Sequence, residues 1–289
     1  MVNKKRWIVI FLAPAFALFL LVYLIPLGTV FVTSFFDYRL YPNRFHFIGF
    51  QNYSKLFTAD PTFLVSVLHT FTWVFIQCIF HVGMGVLIAL VLSKKLRGWK
   101  FVRTVYMIPN IISASAIGMI FLNFYNPQFG ALNMMLKGFG IPGQNWLFDE
   151  KTAFPAVTTT WFLFAGYTTT LVLAQILSIS EDVFEAAKVD GANSLQTDIF
   201  VTLPMLKPII ATTMTMGATY MLQMFALVYL TTKGGPGTAT MSLPLYVYKT
   251  AMIENNYGYA NTIGVFIIIL GLLFMTFINK LLKVDEAAS

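Results

Sequence analysis

The sequence predicts an all-α polytopic membrane protein with six transmembrane helices and both termini in the cytoplasm. Three observations carry that expectation. Of 289 residues, 57% are hydrophobic and only 11% are charged, whereas about a quarter of the residues in a soluble domain carry charge. Six long runs contain no charged residue at all. The basic residues gather in short clusters beside those runs, unevenly divided between the two sides.

The first run covers residues 7–36 and follows Lys4, Lys5 and Arg6. It is much longer than the apolar core of a signal peptide, so an uncleaved membrane helix is expected. Further runs cover residues 61–93, 104–130 (its apolar part ending near Tyr125), 152–180, 208–232 and 255–279. Six crossings place both termini on one side. Twelve Lys and Arg fall on that side, in the N-terminal cluster, at Lys94, Lys95, Arg97, Lys100 and Arg103, and at Lys188, Lys207, Lys280 and Lys283. Seven fall opposite: Arg39, Arg44, Lys55, Lys137, Lys151, Lys233 and Lys249. The excess of basic residues on the inner side assigns the termini and the loops around 94–103 and 181–207 to the cytoplasm. Topology thus accounts for the overall excess of 19 Lys and Arg over 12 Asp and Glu, and nucleic acid is not expected as a partner. The one cysteine, Cys78, lies in an apolar run and excludes both an intrachain disulfide and a cysteine metal site.

The longest polar stretch on the cytoplasmic side reads as helix, glycine turn, helix. Ser178 and Glu181 have the spacing of a capping box, and Glu181, Asp182 and Glu185 crowd a helix start where the macrodipole favours acids. Gly191 is placed to end that helix in the left-handed conformation, Ser194 to cap the next, and Pro204 and Pro208 to close it. The loop holds five acids against two lysines. Acids hardly influence membrane orientation, so this acidity suits either a basic partner or simple solvation.

This segment resembles the EAA loop of the membrane subunits of ABC importers, a pattern of E-A-A, three residues, G, nine residues, I, one residue, L-P. The match runs through Glu185, Ala186, Ala187, Asp190, Gly191, Ala192, Leu203 and Pro204, with Val201 in place of the usual Ile. The alternative for these residues is an ordinary amphipathic connector. In the family the loop, here residues 178–208 within a single permease domain of residues 1–289, forms a coupling helix that sits in a groove of a cytoplasmic ATPase. Further along the chain, Phe47 to Tyr53 resembles the F-x-G-x-x-N-Y segment of sugar-importer permeases. Arg103, Pro109-Asn110, Ile112-Ser113 and Ile117-Gly118 in the third run extend the resemblance, as does Gly234-Gly235-Pro236, which by composition alone is a turn. The closest type is the maltose or glycerol-phosphate uptake permease. This chain has six spans rather than the eight of the maltose permease and lacks its large outer insert, so that protein's particular sugar does not transfer.

Catalytic motifs are lacking. Every Asp and Glu falls outside the spans, and neither H-E-x-x-H nor G-x-S-x-G occurs. His69 and His81 lie within the second run, where an ionisable group is a functional candidate by default. A neutral histidine hydrogen-bonded to a neighbouring helix is the simpler reading. What the spans do offer is material suited to a sugar, whose hydroxyls need hydrogen-bond partners and whose ring faces stack on aromatics. Thr160, Trp161, Phe164 and Tyr167 recur at three- and four-residue steps, as expected for one helix face. Gly217, Tyr220, Gln223 and Met224 form a similar stripe, and Asn110, Ser113 and Ser115 lie in the third run. The corresponding positions of the maltose-type permease line its sugar site. The threonine runs at 158–160, 168–170 and 212–213 equally suit helix packing in a membrane.

The resemblance implies a non-catalytic permease subunit of a carbohydrate importer in the plasma or inner membrane. It implies a complex with a second, distinct permease, two ATPase subunits that bind ATP and Mg, and an extracytoplasmic solute-binding protein. No Walker A sequence is present for ATP hydrolysis by this chain itself, and neither a metal nor a cofactor of its own is expected. The alternative is an ATPase-independent secondary transporter or channel for a small polar solute. Such a protein is expected to carry intramembrane acids or an inverted repeat.

Overall fold

The computed structural model describes residues 4–282. Lys283 and the side chains of Lys4, Lys5 and Arg6, which entered the assignment of sides, lie outside what it describes. In chain order the elements are α1 (Ile10–Thr33), β1 (Phe36–Arg39), β2 (Arg44–Phe47), α2 (Gln51–Thr58), α3 (Pro61–Ser93), α4 (Trp99–Ile111), α5 (Ala114–Phe124), α6 (Ala131–Gly138), α7 (Ala153–Phe162), α8 (Gly166–Leu177), α9 (Glu181–Val189), α10 (Ser194–Met205), α11 (Lys207–Leu222), α12 (Ala226–Thr231), α13 (Leu243–Tyr248) and α14 (Tyr257–Leu282). The fold is helical apart from the β1–β2 hairpin, the only sheet among the described residues.

Helices α1, α3, the α7–α8 run and α14 are each long and apolar enough to cross a membrane. Two further spans arise if each bent pair, α4 with α5 and α10 with α11, is counted as one. The third run is therefore broken and not one continuous helix. Between α4 and α5 the chain turns by 95°. Pro109 supplies no N–H to the last turns of α4, Ile112 is extended, and Ser113 restarts the helix by accepting from the Ala116 N–H at 3.2 Å. The α10–α11 pair bends by 66° around Leu206, and α11 stops at Leu222 with a new start at Ala226, so residues 208–232 are not one helix.

The chain divides into two compact units. One comprises the residues up to Phe63 with Tyr246–Ile269. Here the hairpin pairs Phe36 with Phe47 and Arg39 with Arg44, and the Phe47-to-Tyr53 segment is explained by what it ties. The buried Asn52 amide donates to the Ser34 carbonyl at 2.9 Å and the Phe36 carbonyl at 3.1 Å, while Tyr53 bonds Ser34 Oγ at 2.7 Å. These contacts tie α2 to the segment that leads from α1 into the hairpin. A Cβ on Gly258 would come within 2.0 Å of the Phe36 carbonyl oxygen, so only glycine lets α14 pass the hairpin. Asp60 is the polar centre of this unit. Its Oδ1 accepts from the Phe63 N–H at 2.9 Å, capping α3, and its Oδ2 accepts from the Tyr246 and Tyr259 hydroxyls at 2.5 Å each. Lys55 Nζ lies 4.5 Å from the Tyr259 ring centre. Charge-assisted bonds to a buried carboxylate offset the cost of taking it out of water.

The other unit comprises Leu64–Leu245 with the residues from Leu270 onward. Small residues set its helix contacts, as expected where lipid offers no hydrophobic contrast. A Cβ on Gly85 of α3 would sit 2.7 Å from Thr168 of α8, and one on Gly166 of α8 would sit 2.1 Å from the Tyr106 carbonyl oxygen of α4. Buried hydroxyls and rings complete the packing: Trp73 Nε1 donates to Thr158 Oγ1 at 2.9 Å, and Cys78 Sγ to the Met214 carbonyl at 3.6 Å. His69 Nδ1 donates to the Met241 carbonyl at 3.1 Å, the neighbouring-segment bond expected of a neutral histidine. The Gly234-to-Gly237 loop is a closed turn in which the Thr232 and Thr240 hydroxyls meet at 2.6 Å and Gly234 has φ of +88°.

Two outcomes follow. Asp60→Asn, which cannot accept from both tyrosines and the Phe63 N–H with full charge, is expected to cost about 3 kcal/mol and lower the thermal unfolding midpoint in detergent. In the wild type, burial, followed by the bond and the charge of Asp60, raises the Tyr246 pKa. The fold therefore holds the protonated phenol, and this contribution is complete below about pH 10 and lost as pH rises further, which a pH series of melts resolves. Gly166→Ala forces α4 and α8 apart and is expected to lose about 1–3 kcal/mol in the same assay.

Candidate functional site

Residues at and near several helix breaks of the larger unit line a cavity of about 340 Å³. From α3 come Gln77 and His81, the two ends of a π-helical turn, Gln77–His81, inside that long helix. Such turns cost regular hydrogen bonds and recur at functional sites. From α4, α5 and the break between them come Pro109, Asn110, Ile112, Ala114 and Ile117. Thr160 and Trp161 close α7, Phe164 lies in the break at 163–165, and Tyr167 and Thr168 open α8. Thr213, Met216, Gly217 and Tyr220 of α11 and Leu227 of α12 complete the wall.

The breaks leave backbone carbonyls without helical partners, and side chains from other helices supply them. His81 Nδ1 donates to the Phe162 carbonyl at 2.9 Å, and the Tyr106 hydroxyl donates to the Leu163 carbonyl at 2.9 Å. A carbonyl can only accept, so the neutral His81 carries its proton on Nδ1 and presents Nε2 as an acceptor. The ring stands 6.0 Å from that of Trp161. Two polar atoms of the wall are buried without a hydrogen-bond partner among the described residues: Gln77 Oε1 and Trp161 Nε1. Gln77 is 6% exposed and Trp161 5%. Gly217 admits the glutamine, since a Cβ there would lie 2.8 Å from Gln77 Cγ. No lining residue is an Asp, Glu, Lys or Arg. No group of three or more His, Cys, Asp or Glu suited to a metal occurs among the described residues.

Most sugar-site residues expected from the sequence meet here. Asn110, Thr160, Trp161, Phe164, Tyr167, Gly217 and Tyr220 all line the cavity. Thr160 to Tyr167 do so across a helix break and not as one helix face, which corrects the periodicity argument. Gln223 and Met224 are not in the lining: α11 has ended at Leu222, Gln223 is exposed, and Met224 is buried elsewhere at 3% exposure. Gln77 was not singled out by sequence reasoning. An amide in the middle of a 33-residue uncharged run was the available signal.

The 181–204 segment has its turn where the sequence expects it. Gly191 has φ of +79°, and the Ala192 N–H returns to the Ala187 carbonyl at 2.9 Å, closing α9. The caps differ. Ser180, not Ser178, precedes α9 and accepts from the Asp182 N–H at 3.4 Å, and Asn193, not Ser194, caps α10 in a full capping box with Gln196. Pro204 lies inside α10 and Pro208 in the first turn of α11, so the second helix ends at the Leu206 bend and neither proline closes it. Ser194 Oγ instead accepts from Lys94 Nζ at 3.0 Å, and Lys94 pairs with Asp198 at 2.8 Å. Ala187 is buried, while Glu185, Ala186, Asp190 and Gly191 face outward beside Val189, which is 87% exposed.

The chain matches the family model for the binding-protein-dependent transport system inner membrane component over residues 81–283. It is 33% identical over 292 residues to the probable ABC transporter permease protein YurN of Bacillus subtilis (strain 168), covering 99% of each chain. It is 28% identical over 305 residues to the diacetylchitobiose uptake system permease protein NgcF of Streptomyces coelicolor (strain ATCC BAA-471 / A3(2) / M145), covering 99% of this chain and 86% of that one. Among solved structures it resembles a chain of a bacterial alginate ABC transporter in complex with an alginate pentasaccharide-bound periplasmic protein, at a TM-score of 0.82 and 25% identity over 96% of this chain and 94% of that one. A helical chain with four to six spans, a cavity at its helix breaks and a family match over most of its length thus belongs to the inner membrane components of binding-protein-dependent transport systems, as a non-catalytic, multi-pass permease.

Proposed function

We propose that this chain is the permease of an ATP-driven ABC importer and forms the path for a sugar or oligosaccharide delivered by an extracytoplasmic binding protein. The observation that carries the reading is the cavity. Aromatic rings at Trp161, Phe164, Tyr167 and Tyr220 stand beside amide and hydroxyl groups at Gln77, Asn110 and Thr213, the combination that stacks sugar ring faces and pairs sugar hydroxyls. Relatives that carry diacetylchitobiose and alginate support the carbohydrate class. A second, distinct permease and two ATPase subunits complete the assembly, and the termini and the 178–208 loop face the cytoplasm.

In this reading α9 and the Gly191 turn contact an ATPase. Exposed Glu185, Asp190 and Val189 offer acids around an apolar side chain, a surface that suits a groove with basic rims. Closure of the ATPases displaces α9, and α10 carries the motion through the Leu206 bend into α11, one wall of the cavity. Loaded binding protein and ATP favour the outward-open state by their differential affinity for it.

Gly191→Val tests the coupling role, because a β-branched residue is strained at φ of +79°. The expected outcome is normal insertion and co-purification with loss of ATP-driven uptake by at least about tenfold, a barrier or coupling change above about 1.4 kcal/mol. Uptake at the wild-type rate contradicts coupling through this turn. Mild-detergent purification with mass spectrometry is expected to recover an ATPase and a second permease, and recovery of this chain alone contradicts the importer.

A further inference from the structure

From the wall chemistry we infer that the cavity accepts a neutral glycan, read by Gln77 and Trp161, and excludes anionic sugars. This rests on the importer reading and narrows it. The two buried atoms without partners are of opposite kind: Gln77 Oε1 is an acceptor and Trp161 Nε1 a donor. A hydroxyl or an N-acetyl amide answers both, since it donates and accepts. A carboxylate, phosphate or sulfonate only accepts and would leave Gln77 Oε1 facing like charge. An ammonium group only donates and would leave Trp161 unpaired. The absence of any Lys or Arg from the lining argues the same way, because a desolvated anion needs a cationic or multiple-donor partner. His81 is no substitute: its Nδ1 proton is committed to the Phe162 carbonyl. The chain thus differs in expected cargo from its structural relative, a transporter of alginate.

Gly217 then acts at one remove. Its missing Cβ is what lets the Gln77 side chain enter the wall, at a place where any Cβ would lie 2.8 Å from both Gln77 Cγ and Nε2. It is a positioning residue for the glutamine.

The test uses the complete complex with its binding protein in proteoliposomes and measures ATP-driven uptake of labelled probes: maltotriose, arabinotriose and diacetylchitobiose against trigalacturonate and glycerol phosphate. Uptake confined to a neutral probe is expected. Uptake of an anionic probe at a comparable rate overturns the inference and leaves the importer standing, whereas no ATP-driven uptake of any probe overturns the importer reading and the inference with it. Gln77→Met keeps approximate shape while removing the polar atom, Trp161→Phe removes the indole N–H together with part of the ring, and Gly217→Ala displaces the glutamine. Each is expected to lower subsaturating uptake of the neutral probe about 10- to 100-fold. Gln77→Met is also expected to leave the unfolding midpoint of the resting complex equal or higher, since it removes a buried atom with no partner, whereas Trp161→Phe also loses ring contacts and is expected to lower it. Wild-type uptake in these two variants, or a loss of uptake in Gln77→Met that accompanies a lowered midpoint, assigns the residues a packing role and overturns the proposal.

Discussion

A carbonyl freed by a helix break inside an apolar layer has to be paired, and in this chain the pairing decides where the site is. The break at 163–165 opens the Phe162 and Leu163 carbonyls, and His81 and Tyr106 answer them from two other helices. Those bonds fix α3 and α4 against the α7–α8 junction. With Gly166 removing the bulk that would hold α4 away, the ends of the broken helices converge and their rings and amides line one space. Without the donors, each open carbonyl would cost several kcal/mol in hydrocarbon, and an unbroken helix would close the cavity.

The same accounting operates in the smaller unit with different means. The carbonyls of Ser34 and Phe36, just past α1, are paired by Asn52, and the start of α3 is capped by Asp60, whose second oxygen gathers two tyrosines from the far end of the sequence. Polar groups in this protein are few, and most of the buried ones have their valences filled by one another. Gln77 Oε1 and Trp161 Nε1 share the lack of a partner among the described residues with the Thr215 and Thr250 hydroxyls, and of the four only these two belong to residues that line the cavity.

What the sequence revealed depended on whether a property was local. The spans at 61–93 and 255–279 are long uncharged runs, and the helices Pro61–Ser93 and Tyr257–Leu282 follow them closely. Gly191 was legible because a single residue's freedom at positive φ decides the turn. The second break was not legible, and only Pro109 marked the first. Ile112 and the 163–165 stretch are apolar residues inside apolar runs, and the partners that stabilise the second break lie far away in sequence at Tyr106 and His81. The caps slipped by a residue or two because several hydroxyl and amide side chains compete near each helix start. Of the expected cavity residues, those on α7, α8 and the last turns of α11 were found by spacing, while Gln223 and Met224 lie past a helix end that no local signal marked. Family membership and the carbohydrate class came from motif spacing rather than from any of these geometric details.

The single sulfhydryl of the chain has a practical consequence. Cys78 sits inside α3, buried and hydrogen-bonded to the Met214 carbonyl, so reagents that alkylate thiols in water have little access to it. The natural polypeptide is in effect its own silent background for site-directed labelling. A cysteine introduced at the solvent-facing position of Val189 would then carry a fluorophore or spin probe alone, and report distance changes at the α9 surface without first rebuilding the protein.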